Sequence, residues 1–400
     1  MSLPTDAATR LCETVRMLRH LAANLPEPVR LCFFAAEDDS TPVVTSPAVV
    51  ATEHAVTRAL AHVGVSAVQY LHGASTQLSS FELFISKKIS QALDFRSDDF
   101  DAPEPFEALL GHFEFSGEVP GIETSRLITR DSVSLAVYAS SNRRRPPIVL
   151  ALPCGMPFDL CRDWFDALSE RYFVVTWETR GLFGDCPDFD QIKVDMRSQV
   201  ADLLAVMDHF DLPSAHLMGI CGGAAIVLCA AADHAERAQS LSLWHGDYNL
   251  GDDSLRTPHQ QNFEWLMETA AQDRAEAGDL QAMFVDQKTL ATTPEPIAHT
   301  VLFPYVNPEL FYRYALLNDA LNKTELLPIL PRITVPTLVV AGDSDSTTHI
   351  GGSRLIAQSV EGATLHVEKD GSHLAFFERA AESKKTAFRF IDSTLELAEV

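Results

Sequence analysis

Basic residues are scarce in this chain: 31 lysines and arginines face 55 aspartates and glutamates, a formal net charge of −24 over 400 residues. So acidic a chain repels polyanions, and nucleic-acid binding is not expected. No run of about 18 apolar residues, the length that spans a bilayer, occurs anywhere. The first residues carry no charged-then-apolar leader, so the expectation is a cytoplasmic chain with no membrane partner. The seven cysteines (12, 32, 154, 161, 186, 221 and 229) make no CxxC pair and no metal-ligand spacing. That excludes a zinc site or a disulfide framework as the organising device and fits a reducing compartment.

Apolar material, by contrast, is plentiful. With 46% hydrophobic residues the chain can bury a sizeable core without staples. Residues 1–118 read as a mixed, mostly helical N-terminal module to which no function can be assigned. Leu11, Val15, Leu18 and Ala22 recur at helical spacing, further helical stretches cover about 48–62 and 77–94, and the run 31–34 has strand character. The acidic, proline-bearing stretch 96–105 reads as a solvated linker. From Glu123 the pattern becomes alternating, which predicts a hairpin turning at Arg130-Asp131-Ser132.

Continuous apolar runs follow at 148–152, 173–176, 215–219, 240–244 and 337–341, separated by helix-like stretches. Strands buried on both faces and alternating with helices make an α/β fold with a mostly parallel central sheet covered on both sides. The alternation breaks over 248–330, where an acidic helical stretch (262–279) and an aromatic-rich one (303–314) appear. The expected organisation is a core over 119–247 and 331–400 with a helical cap or lid at 248–330, lying over the carboxyl ends of the strands where ligands bind in such sheets.

One point in the core is chemically suggestive. The strand His216-Leu217-Met218 runs into Gly219-Ile220-Cys221-Gly222-Gly223 and then into the helical Ala224-Ala225-Ile226. Strand, sharp turn and helix with small residues around position 221 are what a strained nucleophile elbow requires. The start of the helix is expected to lower the thiol pKa. The plainer reading is a small buried residue at a tight turn.

An elbow of this kind works with an acid and then a histidine further along the chain. The strand ending at Ala341 leads into Gly342-Asp343-Ser344-Asp345, and Asp345 is the candidate acid with Asp343 its competitor. The turn Asp370-Gly371-Ser372-His373 supplies the candidate base, His373; the plainer reading of that residue is a surface histidine in a polar turn. His366 alternates within a strand, and His349 is too close to Asp345 to approach it from another loop. Asp247, after Trp244-His245-Gly246, is the reserve acid. Two backbone N–H groups are needed for an oxyanion hole, and those of Gly222 and of Met156, in Pro153-Cys154-Gly155-Met156-Pro157, are the candidates. No metal or cofactor is expected.

These residues resemble the α/β-hydrolase superfamily over roughly 123–247 and 331–392. The superfamily usually reads His-Gly before the oxyanion donor where this chain reads Cys154-Gly155, and its Asp-x-Arg-Gly-x-Gly turn is similar to Glu178-Thr179-Arg180-Gly181 with one extra residue before Gly184. A cysteine at the elbow resembles polyhydroxyalkanoate synthases and, closer in size and in its helical insertion, the thioesterase-like aminoacyl transferases of nonribosomal peptide pathways, of the syringomycin type. That resemblance implies an acyl or aminoacyl thioester substrate presented on the phosphopantetheine arm of a carrier protein.

The chemistry of sulfur agrees. Attack of Cys221 on a thioester makes another thioester of nearly equal energy, so the acyl group stays activated for a second thiol. Phe303, Tyr305, Phe311 and Tyr312 are candidates to line the acyl pocket, although aromatics at such spacing are more often plain core. Arg143-Arg144-Arg145 is the one dense basic cluster and precedes a strand, so it belongs at the end of the sheet away from the site. The competing readings are a cysteine thioesterase or lactone hydrolase with the same triad, and a noncatalytic hydrolase-fold binding protein.

Overall fold

A computed structural model of the chain describes residues 5–35, 38–42, 47–73, 75–93, 110–113, 115, 121–184, 186, 188–285, 290, 293–378 and 380–398. The chain divides into two compact units, one made of Met1–Pro120 with Gly278–Pro308 and the other of Gly121–Ala277 with Glu309–Val400.

In the first unit the helix Thr5–Ala22 buries Leu11, Val15, Leu18 and Ala22 completely, as their spacing requires. Helices Pro47–Ala61 and Ser80–Leu93 accompany it. Val29–Leu31 pairs in parallel with Val68–Tyr70, and Ser86 and Ser90 receive the backbone N–H groups of Cys32 and Phe34. The segment 278–308, which the sequence pattern assigns to the lid, is therefore grouped differently by the structure. Its Asn307 donates to the Asn24 carbonyl at 2.8 Å, and Phe303 stands edge-on to His20. An aromatic-rich run carries no label saying which core it joins. The stretch 96–105 lies outside the described residues.

The second unit is built on one sheet of eight strands: β1 (Ile122–Ile128), β2 (Ser134–Ser140), β3 (Pro147–Ala151), β4 (Phe173–Trp177), β5 (Ala215–Ile220), β6 (Ala238–Trp244), β7 (Thr337–Gly342) and β8 (Thr364–Glu368). Their order is β8-β7-β6-β5-β3-β4-β2-β1. The pairs β1·β2 and β2·β4 are antiparallel, and all the others are parallel. Strands β4, β5 and β7 are buried at every residue, the signature of a sheet covered on both faces.

Seven helices of this unit matter below: α1 (Arg162–Ser169), α2 (Met196–His209), α3 (Gly222–Asp233), α4 (Pro258–Ala270), α5 (Pro308–Asn322), α6 (Ile350–Ser359) and α7 (Ala380–Ala398). Helix α3 is apolar on every side, with Gly223 through Ala231 all buried, so it can lie only inside the unit. Trp164 of α1 stacks on Phe376 with ring centroids 4.2 Å apart and donates its indole N–H to the Phe376 carbonyl. That contact fastens the chain just beyond His373 to the body of the unit. Among the described residues no helix is long and apolar enough to cross a membrane.

Candidate active site

Between β5 and α3 the chain turns at Cys221, whose φ of 50° and ψ of −122° lie where few residues other than glycine go. The turn is held from three sides. Cys221 N–H donates to the Trp244 carbonyl of β6, and the Cys221 carbonyl accepts from Ala224 N–H at 3.0 Å and from Asp247 N–H at 3.4 Å. The neighbours must be small: a Cβ on Gly219 would fall 2.6 Å from Ala224 Cα, and one on Gly223 only 2.4 Å from the Ala151 carbonyl oxygen. The sharp strand-to-helix turn expected around position 221 is present at the carboxyl end of β5.

The electrostatics of the sulfur differ from the expectation. The thiol pKa is raised well above its ordinary value, first by burial, then by the charge of Asp247 and by Cys154, while Gly222 N–H pulls the other way. A helix start supplies only a partial charge that falls off quickly, and burial together with a nearby carboxylate outweighs it. The resting group is a thiol.

The loops after β7 and β8 bring Asp345 and His373 together. His373 Nδ1 lies 3.1 Å from Asp345 Oδ2. The carboxylate is fixed by its own loop, accepting from the Thr347 and Thr348 N–H groups on Oδ1 and from the Thr348 hydroxyl on Oδ2. Burial alone would raise its pKa, but the hydrogen bonds from His245 and His373 hold it far below the usual carboxylate range. Asp343 instead receives the Asp370 N–H, at 2.7 Å. It shapes the histidine loop and does not touch the ring. His349 caps α6. Among the described residues no hydrogen bond joins the Cys221 sulfur to His373.

A second histidine, which the sequence pattern passed over, sits behind Asp345. His245 is buried, adopts φ 46° and places Nδ1 3.4 Å from Asp345 Oδ2 and Nε2 3.1 Å from Glu368 Oε2. Burial disfavours its charged form, yet the two carboxylates outweigh burial and the pKa is raised. Glu368 in turn accepts from Ser383 of α7. The side-chain atoms of His245, Asp345 and His373 lie within 4.8 Å of one another, near enough to suggest a metal. A carboxylate stands on each ring nitrogen of His245, which favours the protonated ring, and a ring donating from both nitrogens has no lone pair to offer. The cluster reads as a hydrogen-bonded chain.

The oxyanion loop departs from expectation. Met156 N–H closes a turn on the Pro153 carbonyl at 3.1 Å and is not free to receive an oxyanion. Gly155, at φ 79°, donates its N–H to Thr179 Oγ1, and Glu178 Oε1 accepts from Phe158 N–H. The Glu178-Thr179-Arg180 turn thus braces this loop, and Arg180, itself buried, is anchored between Asp131 and Asp202. Of the two candidate donors, Gly222 N–H faces the sulfur.

Asp247, the reserve acid, does not meet His373. Its carboxylate takes a hydrogen bond from Gln260 Nε2 of α4 at 2.6 Å, and its charge acts on Cys221, Cys154 and Tyr248. From the same helix His259 has its pKa lowered by desolvation and by the charge of His373. The residues of 248–330 that pack on this turn are also other than the aromatics expected. Tyr314 of α5 packs on Gly155 and Leu321 on Gly222, whereas Phe311 is fully buried, Tyr312 lies under the Arg274 guanidinium, and Phe303 and Tyr305 belong to the first unit. These residues are invisible in sequence because the rotation of α5 about its axis is set by packing, not by motif. Arg143 pairs with Glu123 of β1.

A family model described as the alpha/beta hydrolase fold matches residues 147–380. Over 271 residues the chain is 22% identical to 3-oxoadipate enol-lactonase 2 of Acinetobacter baylyi, a match covering 63% of this chain and 91% of that one. Over 177 residues it is 29% identical to L-allo-isoleucyltransferase of Pseudomonas savastanoi pv. glycinea, covering 44% of this chain and 61% of that one. Among solved structures, the enol-lactonase from Burkholderia xenovorans LB400 superposes with a TM-score of 0.53 at 22% identity, over 67% of this chain and 100% of that chain.

Proposed function

The chain belongs to the alpha/beta hydrolase fold family, and from that premise we propose that it is an acyltransferase that carries acyl or aminoacyl groups as a thioester on Cys221. The observation that carries this reading is the identity of the atom at the elbow: a sulfur at a backbone position of φ 50°, beside Gly222 N–H, in the same unit as the His373–Asp345 pair.

The steps follow from the residues. The Cys221 sulfur attacks the carbonyl carbon of an incoming thioester while His373 takes the thiol proton. Because the resting pKa of the thiol is raised, this proton moves during attack and is not stored in a standing ion pair. Asp345 holds the imidazole by Nδ1 and stabilises its charged form. Gly222 N–H receives the developing oxyanion. Collapse breaks the donor carbon–sulfur bond, and the proton on His373 goes to the departing thiolate. A second thiol runs the same steps in reverse, takes the acyl group and restores the free Cys221 thiol.

The two thioesters are nearly equal in energy, so the exchange is reversible and water is the competitor to be kept out. Tyr314 and Leu321 close the lid side of the elbow. The similarity to an L-allo-isoleucyltransferase supports transfer, and with it delivery of the acyl group on the phosphopantetheine arm of a carrier protein. Such partners are commonly acidic, so against this chain's charge of −24 the docking patch must be locally basic. Hydrolysis of an ester or lactone by the same residues is the second reading, favoured by the similarity to enol-lactonase 2 along 91% of that protein.

Incubation of the whole protein with an acyl or aminoacyl thioester, followed by intact-mass spectrometry, separates the two. Transfer predicts an adduct on Cys221 that persists until a second thiol is added and then moves to it. Rapid release of free acid with no transfer would overturn the proposal.

A further inference from the structure

In the first unit the stretches 25–30, 79–82, 281–285 and 306–308, with Gln69, line a cavity of 540 Å³. That volume lies within the roughly 300–1,000 Å³ over which pockets hold small organic molecules. All of the lining belongs to Met1–Pro120 and Gly278–Pro308, so the cavity is a property of this unit by itself. Leu25, Phe81, Val285 and Val306 give it apolar walls. Arg30 and Gln69, register partners in the strand pair Val29–Leu31 and Val68–Tyr70, add polar groups. The walls are braced: Ser80 Oγ donates to the Val285 carbonyl at 3.0 Å, and Gln281 Nε2 to the Tyr305 carbonyl at 2.7 Å.

Arg30 is the one basic residue of this lining. Its Nε and Nη2 donate to the two oxygens of Glu82 at 2.9 and 2.7 Å, and its backbone N–H donates to Oε1 at 2.9 Å. The Glu82 side chain is 5% exposed and that of Arg30 39%. Burial opposes the charge on Glu82, but Arg30 and the Ser79 N–H sustain it, and its pKa is lowered. One edge of the guanidinium is thereby fixed. The other edge, Nη1 with the second N–H of Nη2, meets no acceptor among the described residues. Arg180 shows how this chain completes such a group: Asp202 takes Nε and Nη2, and Asp131 takes the Nη1 and Nη2 edge.

We propose that this cavity binds a small monocarboxylic acid with an apolar body, its carboxylate on the open edge of Arg30 and its body against Leu25, Phe81, Val285 and Val306. The proposal is independent of what Cys221 does. A planar carboxylate matches two parallel N–H donors, and a guanidinium already oriented by Glu82 loses little freedom on accepting it. Burial of the apolar body supplies the affinity that one ion pair at a half-open site does not. Glu27, held by Ser66, also lines the cavity, and together with Glu82 it limits the ligand to a single negative charge. An amine of the same skeleton sets its cation against the guanidinium, and a neutral amide forgoes the charge.

The test titrates the full chain by isothermal calorimetry with 4-phenylbutyrate, 4-phenylbutyramide and 4-phenylbutylamine, one skeleton under three head groups. The expected result is a Kd below about 1 mM for the acid, with the amide and the amine weaker by about 10-fold or more. Arg30→Lys keeps a cation for Glu82 but removes the fork, so the acid should fall to the level of the amide. Ala282→Trp, at an exposed position of the lining, fills the cavity from its rim. It should weaken the acid by about 10-fold or more and leave the melting temperature of the free protein unchanged, which separates loss of the site from loss of the fold. Amide or amine binding as tightly as the acid overturns the carboxylate site. Acid affinity unchanged in either variant places the acid elsewhere and overturns it too, as does the lack of any saturable binding of the acid in the millimolar range.

Discussion

His245 Nε2 stands 3.1 Å from Glu368 Oε2 while its Nδ1 stands 3.4 Å from Asp345 Oδ2, so one buried histidine ties the carboxylate that holds His373 to a second carboxylate at the end of β8. The arrangement runs His373, Asp345, His245, Glu368, Ser383. An anion between two rings keeps its charge more firmly than an anion facing one, and the first ring is thereby oriented by groups on four separate segments.

Glu368→Gln is therefore expected to destabilise the protein by about 3 kcal/mol near pH 6, because a buried imidazolium loses one of its two anions. The pH dependence has a definite sign. His245 has a raised pKa, so its contribution is complete below its unfolded value of about 6.5 and fades as pH climbs through the folded value. Glu368 has a lowered pKa, burial notwithstanding, so its contribution is lost as pH falls through the acid range. Thermal melts of both proteins should then differ most near pH 6 and converge toward alkaline and strongly acid pH. A gap of constant size from pH 5 to 10 would show that His245 is not charged in the fold.

Gly223→Ala tests the elbow's packing. The added methyl would lie 2.4 Å from the Ala151 carbonyl oxygen and 2.6 Å from that of Leu152. Both are backbone atoms of β3 and the residue after it, and cannot swing aside. The expected loss is about 3 kcal/mol, seen as a lower urea midpoint. A midpoint equal to wild type would mean that α3 does not approach β3 as closely as described.

How much of this was legible beforehand follows from what each feature depends on. The strands at 148–152, 215–219 and 337–341 declared themselves because burial on both faces demands unbroken apolar runs, and the elbow because glycine tolerance is a local demand. Asp345 and His373 stood in loops at strand ends, where chain order points to them. His245 did not declare itself: its role depends on Glu368, 123 residues later, and a long-range pairing leaves no local pattern. The thiol's raised pKa has no local signal either, since burial sets it first and Asp247, which adds to it, approaches Cys221 through strand neighbours and not through sequence. The division of 248–330 between the two units rests on side-chain packing that composition does not encode.

The charge of Asp247 can be read directly on the sulfur. In wild-type protein the rate of Cys221 alkylation by iodoacetamide should rise only above the ordinary thiol value of 9.0. Asp247→Asn removes an anion from the thiolate's surroundings and should move that inflection down. Peptide mapping by mass spectrometry isolates this cysteine from the other six. An inflection that stays in place would show that burial alone sets the thiol's pKa.

Strain at Cys221 leads to a stability prediction opposite in sign to that of most substitutions at a buried turn. A side chain at φ 50° and ψ −122° stores on the order of 1–3 kcal/mol, and glycine releases it. Glycine also gives the unfolded chain extra freedom, which takes back about 0.4–1 kcal/mol. Cys221→Gly should therefore melt higher than wild type by a net of about 1 kcal/mol while forming no thioester adduct. Cys221→Ala keeps a Cβ, and with it the strain, so it should lose the adduct without the gain. The pair separates backbone from sulfur: if alanine stabilises as much as glycine, the relief comes from removing a thiol crowded by Asp247 and Cys154, and the elbow is not strained in solution.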